Sequence, residues 1–342
     1  MSKERVFVYP GAFDPPTYGH LDVFHKALGS VGPLCVVCSV NPCKHTIFTP
    51  EESQRLWNNA YGVPTCNIED LRKRPYDQVT LVRGVRDETD FSYERHVLFE
   101  NKAAFPKIDS VFYALADEKL KDVSSSNLKE AISQMRLPEL RKMAAPMVIS
   151  ALFKKMLNLN VWLIAGRPAS GKSTVLKEYK EKYPNDVVIT GDEINHKLQG
   201  LMKRTLGSTD YIKLALEDPV ALKEAIGPSW INELRRLMLP SSLPRMVPHN
   251  LFIEAGYGIK PETKLYEIVG GNIIYFDCPG SECSSRLVDR GTPQLEPFIE
   301  VIPSRSEMEE IAKKEKLHVR YIKTGTTNVK DSVKQLEDIV IG

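Results

Sequence analysis

A threonine and a histidine follow closely on the first apolar segment of the chain. Val6–Tyr9 predicts a short strand, and a tight turn at Pro15–Pro16 separates it from a helix that His20 opens. A histidine at a helix start lies among free backbone N–H groups and at the positive end of the helix dipole. With the Thr17 hydroxyl within reach, this spacing predicts a site for a phosphoryl group, and Gly19 is expected to let the backbone approach that ligand closely.

A second phosphate site is predicted where another apolar strand ends. Residues 166–174 (GRPASGKST) match GxxxxGK[ST] and lie between the apolar segment 161–165 and a helical run. In this motif the loop amides surround the phosphates, the lysine reaches the β- and γ-phosphates, and the first hydroxyl after it meets Mg²⁺. The residues predicted to bind ATP here are Gly166, Ala169, Ser170, Gly171, Lys172, Ser173 and Thr174, with Ser173 as the magnesium ligand.

An acidic residue follows the next predicted strand of this half. Asp192 lies just past Asp186–Ile189, where its carboxylate is placed to contact an acceptor hydroxyl as a general base. The alternative is that Asp192 caps the following helix. The phosphate loop by itself does not separate a kinase from an ATPase or a GTPase. The sequence has no NKxD tetrad that would indicate guanine recognition.

Apolar segments typical of strands alternate with helical patterns in both halves of the chain. Besides the two opening strands, these segments are 34–40, 79–82, 110–114, 186–189, 272–276 and 318–322. Such alternation predicts parallel sheets built from βαβ units. The expected fold class is therefore α/β, with two doubly wound parallel-sheet domains over residues 1–158 and 159–342. An amphipathic helix over Pro138–Leu157 is expected to close the first domain.

Composition excludes several classes of protein. The chain has 342 residues, of which 42% are hydrophobic and 26% charged, as in ordinary globular proteins and unlike a disordered, fibrous or membrane protein. A net charge of +2 argues against nucleic acid as the main partner. Cys35 and Cys38 lie three apart on a predicted strand and face opposite sides, so both are expected in the core. The sparse cysteines favour a reducing, cytoplasmic location, and the oligomeric state stays open.

Four ordered blocks within residues 5–157 resemble the phosphopantetheine adenylyltransferases of the HxGH nucleotidyltransferase superfamily. These blocks are residues 9–22 (YPGAFDPPTYGHLD), 41–52 (NPCKHTIFTPEE), 83–94 (RGVRDETDFSYE) and 123–130 (VSSSNLKE). Thr17 occupies the first histidine position of HxGH. The chain departs from the family between Glu52 and Arg83, where it is several residues shorter in a region that normally helps to form the pantetheine-binding wall.

This resemblance implies that the phosphate of 4′-phosphopantetheine attacks the α-phosphorus of ATP, giving dephospho-CoA and pyrophosphate without a covalent enzyme intermediate. It implies that His20 stabilises the α-phosphate in the transition state while Thr17 and Lys44 hold the nucleophilic phosphate. Arg83 lines the acceptor side, Arg86 contacts the ATP phosphates, and Mg²⁺ bridges phosphate oxygens. His20 and Lys44 are the expected catalytic residues. The implied ATP-binding residues are Gly11, Phe13, Thr17, His20, Arg86, Glu94, Ser124, Ser125 and Ser126.

Residues 160–341 resemble dephospho-CoA kinases in the stretches 190–198, 222–228, 252–256 and 321–326. This resemblance implies transfer of the γ-phosphate of ATP to the ribose 3′-hydroxyl of dephospho-CoA, with Asp192 as base and Lys172 as phosphate clamp. Gly227 replaces a family histidine, and Pro248 stands where the family has an aspartate. The candidates for the lid arginine are Arg286 and Arg290.

Together the two resemblances imply a bifunctional CoA synthase whose partners are small molecules (ATP, 4′-phosphopantetheine and dephospho-CoA), with no nucleic acid and no membrane. One alternative is an adenylyltransferase for nicotinamide mononucleotide fused to another small-molecule kinase, against which the block at 83–94 argues. A second is a C-terminal half that binds nucleotide only for regulation. A third is a kinase for nucleic-acid ends, which the near-neutral charge disfavours.

Overall fold

The computed structural model describes residues 5–40, 45–67, 69, 73, 78–86, 88, 90–92, 107–238, 249–255 and 264–341. The predicted site residues Lys44 and Glu94, and Pro248, lie outside this part of the chain. The chain divides into two compact units, residues 1–132 with 139–148, and residues 133–138 with 149–342. The domain boundary expected at 158–159 stays a prediction.

The first unit is built on a four-stranded parallel sheet in the order β2-β1-β3-β4. Its strands are β1 (Arg5–Gly11), β2 (Leu34–Cys38), β3 (Gln78–Val85) and β4 (Ile108–Leu115). Because β1 pairs with β2 on one side and β3 on the other, the chain reverses its winding direction beside β1. Ligands of open α/β sheets bind at such a switch point, beyond the carboxyl ends of the strands.

The helices described up to residue 157 are α1 (Tyr18–Val31), α2 (Pro50–Leu56), α3 (Ser125–Ser133), α4 (Leu137–Leu140) and α5 (Pro146–Leu157). The expectation of one helix over 138–157 is wrong, because α4 ends at Leu140 and α5 begins at Pro146. Proline has no N–H for the helical ladder and its ring disfavours helical backbone in the preceding residue, so the helix restarts there.

The second unit contains a five-stranded parallel sheet in the order β6-β7-β5-β8-β9. Its strands are β5 (Leu159–Gly166), β6 (Val187–Thr190), β7 (His249–Glu254), β8 (Asn272–Asp277) and β9 (His318–Lys323). The α/β fold class with two parallel sheets is therefore confirmed. β5 lies in the middle of this sheet and pairs with both β7 and β8, so the predicted phosphate loop that follows it starts at the centre of the sheet.

Helices join these strands along the second unit. They are α6 (Lys172–Lys182), α7 (Gly191–Leu206), α8 (Tyr211–Glu217), α9 (Pro219–Met238), α10 (Tyr266–Val269), α11 (Gly280–Asp289), α12 (Pro297–Val301), α13 (Arg305–Glu315) and α14 (Val329–Ile341). Strand residues such as Ile164, Phe252 and Ile274 are completely buried and pack with α6 and α14 in one apolar cluster. Removing this apolar surface from water provides the main driving force for folding of the unit.

Cys35 and Cys38 are both buried in β2, as the sequence predicts. Cys35 is bonded to Cys66, and their Cα atoms lie 5.9 Å apart. Within the described residues, no helix combines the length and the apolar character that crossing a membrane requires.

Candidate functional site

His20 lies in the first turn of α1, directly beyond the end of β1. The backbone N–H of Thr17 donates to His20 Nδ1 over 3.0 Å, and Thr17 Oγ1 lies 3.0 Å from the same nitrogen. Since Nδ1 accepts this hydrogen bond, the neutral imidazole carries its proton on Nε2. The ring is thereby oriented as a hydrogen-bond donor through Nε2, which is the form that stabilises an anionic oxygen.

The loop before α1 is held at successive carbonyl groups. The Ser125 hydroxyl donates to the Pro15 carbonyl over 2.8 Å, and the buried Tyr61 hydroxyl donates to the Pro16 carbonyl over 3.1 Å. The Tyr18 N–H then donates to the Met143 carbonyl. These bonds fix the loop in one conformation without using the groups of His20, so the turn is pre-organised for a ligand. Tyr61 was not recognised in the sequence, because no local pattern distinguishes it from other buried tyrosines.

Phe13, predicted to contact ATP, has its ring in an aromatic cluster. Its ring centroid lies 5.2 Å from those of both His20 and Trp57, and the side chain is buried. A Cβ atom on Gly11 would lie 2.8 Å from this ring, so Gly11 must lack a side chain for Phe13 to pack there. In this structure both residues shape the wall behind His20.

The start of α3 approaches the start of α1. A Cβ atom on Gly19 would lie 2.5 Å from the Val123 carbonyl oxygen, so Gly19 admits protein backbone where a ligand was expected. Ser124 accepts from the Asn127 N–H over 3.1 Å and thus caps α3. Ser126 is exposed at the same helix end. The free N–H groups of a helix start bind phosphate well, and the triphosphate contacts expected at this helix start stay predictions.

Two arginines lie at the carboxyl end of β3. Arg83 Nη1 donates to the Pro10 carbonyl over 3.3 Å, which ties β3 to the end of β1. Arg86 follows the strand, is exposed, and its Nε lies 3.8 Å from Asp90. The structure thus brings Arg83, Arg86 and His20 to the same edge of the sheet, where their predicted phosphate contacts stay predictions.

Three residues of the predicted phosphate loop after β5 have left-handed backbone conformations. Gly166, Ala169 and Gly171 all have positive φ angles, of 135°, 58° and 93°. The Lys172 ammonium donates to the carbonyls of Gly166 and Arg167, over 2.9 Å each. Burial lowers the pKa of Lys172, and the nearby Glu254 carboxylate opposes that shift. The Ser170 hydroxyl is completely buried and has no partner among the described residues.

Glu254 is a candidate site residue that sequence reasoning did not select. It ends β7, the neighbour of β5, and its carboxylate accepts from the Ser173 hydroxyl over 3.0 Å. A hydroxyl and a carboxylate at the mouth of a phosphate loop are the oxygen donors that Mg²⁺ prefers, so Ser173 and Glu254 fit this ion. The available signal was an acidic residue at the end of an apolar segment (Phe252–Glu254).

Asp192 lies in the exposed first turn of α7 and does not cap it. The Thr190 hydroxyl accepts from the Glu193 N–H over 3.2 Å, so Thr190 is the cap and the capping alternative for Asp192 is wrong. The charge of Asp192 raises the pKa of Lys172 against the larger effect of burial, so the two side chains share one electrostatic environment. Asp192 is therefore near enough to Lys172 to affect its pKa, and its carboxylate is not used as a cap.

The two candidate lid arginines differ in their surroundings. Arg286 donates to the carbonyls of Ala169, Thr324 and Gly325 over 3.1–3.3 Å, so it ties the phosphate loop to the segment after β9. Arg290 is exposed at the end of α11, and its charge contributes to lowering the pKa of Lys172. Arg286 is thus engaged by backbone carbonyls, and the exposed Arg290 stays the candidate for the predicted lid arginine.

Comparison with known proteins identifies relatives of the first unit. A cytidylyltransferase-like family model matches residues 8–131. The phosphopantetheine adenylyltransferase of Thermotoga neapolitana is 34% identical over 158 residues, which are 44% of this chain and 96% of that protein. That of Buchnera aphidicola (subsp. Schizaphis graminum) is 36% identical over 37% of this chain and 81% of that protein. That of Syntrophomonas wolfei is 29% identical over 45% of this chain and 98% of that protein. Through this N-terminal cytidylyltransferase-like domain, the chain belongs to the phosphopantetheine adenylyltransferase family.

Proposed function

We propose that the first unit transfers the adenylyl group of ATP to 4′-phosphopantetheine, giving dephospho-CoA and pyrophosphate. The observation that carries this proposal is His20, held by Thr17 with Nε2 as its donor, beside the start of α3 at the sheet's switch point. The names of the relatives support the acceptor. The shortened chain between Glu52 and Arg83 makes the acceptor the point that most needs an experiment.

In this reaction an oxygen of the acceptor phosphate attacks the α-phosphorus while the bond to the pyrophosphate oxygen breaks. His20 donates from Nε2 to an α-phosphate oxygen, whose negative charge grows in the transition state. The α3 start and Arg86 neutralise the leaving pyrophosphate, and Lys44 and Thr17 hold the attacking phosphate. Positioning and charge neutralisation are sufficient, because no group of the protein forms a bond to phosphorus.

We propose further that the second unit phosphorylates the ribose 3′-hydroxyl of dephospho-CoA. Asp192 takes the hydroxyl proton as the oxygen attacks the γ-phosphorus, and ADP leaves. On phosphate binding, Lys172 exchanges its two loop carbonyls for phosphate oxygens. Ser173 and Glu254 would hold Mg²⁺, which supplies positive charge to the phosphates. Arg290 is proposed to meet the transferring group.

The test is incubation of the full chain with ATP, Mg²⁺ and 4′-phosphopantetheine, with the products resolved by mass. We expect dephospho-CoA, then CoA. His20→Ala should abolish pyrophosphate release while supplied dephospho-CoA is still phosphorylated. His25→Ala is the matched control, because His25 is exposed on the same helix and should leave both reactions unchanged.

A second pair of variants distinguishes the proposed reactions of the two halves. Asp192→Asn should stop CoA formation while dephospho-CoA accumulates, and Glu193→Gln, in the same exposed helical turn, should not. Turnover of nicotinamide mononucleotide without turnover of 4′-phosphopantetheine would refute the proposed acceptor. Dephospho-CoA as the final product of the unmodified chain would leave the second unit as a nucleotide-binding module.

A further inference from the structure

A partly buried ion pair joins the segments that build the proposed first site. The Asp14 side chain is 7% exposed, and its Oδ2 lies 2.8 Å from the Nζ of Lys129, whose side chain is 23% exposed. Asp14 Oδ1 accepts from the backbone N–H groups of Ile47 and Phe48, over 2.9 and 2.8 Å. One carboxylate therefore connects the loop between β1 and α1, the segment before α2, and α3.

Each of these segments carries proposed site residues or leads directly to them. Asp14 lies in the loop that leads to His20, and Lys129 lies one turn inside α3, whose start is proposed to bind the triphosphate. Residues 47 and 48 follow closely on Lys44. A carboxylate that is removed from water is stable only when its charge is paired and its oxygens are hydrogen-bonded, and here both requirements are met by groups from different segments.

We infer that Asp14 and Lys129 are positioning residues for adenylyl transfer, in that their ion pair sets the distance between His20 and the phosphate-binding start of α3. The inference rests on the proposed function. An in-line transfer requires the α-phosphate and the leaving pyrophosphate to be held together, and a displacement of about 1 Å between groups that hold a substrate can cost about 100-fold in rate. ATP binding is shared among many donors and depends less on this one distance.

Three variants test the pair. Asp14→Asn keeps an acceptor for the Ile47 and Phe48 N–H groups but turns a donor toward Lys129. Lys129→Met keeps the packing of the side-chain stem and removes the ammonium. In the double variant Asp14→Asn/Lys129→Gln, two amides replace the two charges, and one amide can donate to the other. Lys121→Met is the control, because it removes an ammonium from an exposed ion pair with Glu118.

Each single variant is expected to lower kcat for pyrophosphate release by about 10- to 100-fold, with KM for both substrates within about threefold. The double variant should recover at least part of kcat, and Lys121→Met should match the unmodified chain. If the pair served stability alone, the single variants would not lower kcat selectively at an unchanged KM. The amide pair would then not restore kcat. Circular dichroism establishes that each variant is folded, and Lys129→Met, which disturbs no backbone bond, serves if Asp14→Asn does not fold.

Amide hydrogen exchange at residues 124–130 provides a second measurement that needs no turnover. Exchange there should become faster in both single variants and slower again in the double variant. Single variants with unchanged kcat and unchanged exchange would overturn the inference, as would a double variant worse than either single one. If the unmodified chain makes no dephospho-CoA, the proposed function fails, and a catalytic role for the pair fails with it. The exchange data would distinguish that result from an absent ion pair.

Discussion

Gly19 offers a direct test of how closely α1 and α3 must approach. In Gly19→Ala the new Cβ atom would lie 2.5 Å from the Val123 carbonyl oxygen, about half an ångström closer than such atoms are found in proteins. The obstacle is backbone, which cannot rotate away as a side chain can, so the first turn of α1 must move. Overpacking of this kind costs about 1–3 kcal/mol of unfolding free energy. It also displaces the neighbouring His20, for which we expect a loss of about tenfold or more in kcat.

Gly29 on the same helix provides the matched control. It is exposed, and nothing lies within 4 Å of a Cβ atom built on it, so Gly29→Ala should gain about 0.5–1 kcal/mol from helix propensity alone. The two variants should therefore shift the free energy of unfolding in opposite directions and differ from each other by about 1.5–4 kcal/mol. Urea unfolding followed by circular dichroism measures stability, and pyrophosphate release measures activity. A Gly19→Ala variant as stable and as active as Gly29→Ala would refute the close approach of α1 and α3.

Three further predictions concern the second unit. Asp186 is buried and accepts from the Tyr179 hydroxyl and the Asn250 N–H over 2.7 and 2.8 Å, so Asp186→Ala should lose about 2–4 kcal/mol in urea unfolding, and Asp186→Asn less. Glu254→Gln should raise the Mg²⁺ concentration for half-maximal phosphoryl transfer by about tenfold or more; an unchanged magnesium titration would remove Glu254 from the metal site. Burial, aided by Arg320, lowers the pKa of His318 below its usual 6.5, so the folded state disfavours the charged ring. His318 should therefore not affect the free energy of unfolding above about pH 6.5, where the ring is neutral in both states. The free energy should fall as the pH drops from that value toward the lower pKa of the folded state. Thermal unfolding of His318→Gln should show a weaker fall between about pH 7 and pH 5, and an equal fall would contradict this assignment.

Much of the fold followed from local patterns. The predicted segments 272–276 and 318–322 coincide closely with β8 and β9. β8 lies between two neighbouring strands and is mostly buried, and such a strand needs continuous apolar residues. The helix prediction over 138–157 failed at Pro146, because the apolar periodicity continues across the boundary between α4 and α5. β7 was indicated only by the resemblance of its last residues to a family motif.

In the candidate sites, too, residues within one local pattern were predictable, and their distant partners were not. His20 and Lys172 stand out because a strand, a turn and a helix start are contiguous in sequence, and their chemistry depends on that local geometry. The partners of these residues were harder to predict from the sequence. Glu254 lies on another strand, and the capping role expected as the alternative for Asp192 belongs to Thr190, whose hydroxyl reaches the Glu193 N–H. Such choices between neighbouring polar residues depend on side-chain directions that composition does not report.

The α/β class and two candidate phosphate sites, each at a strand–turn–helix junction, could be predicted from the order of residues, because backbone conformation, helix dipoles and apolar burial act over a few neighbouring positions. Asp14 and Lys129 are 115 positions apart, and Ser173 and Glu254 are 81 positions apart, so these contacts could be seen only in the tertiary structure. Hydrogen bonds and ion pairs act over about 3–4 Å, so distant residues become partners only after the tertiary fold has brought their segments together.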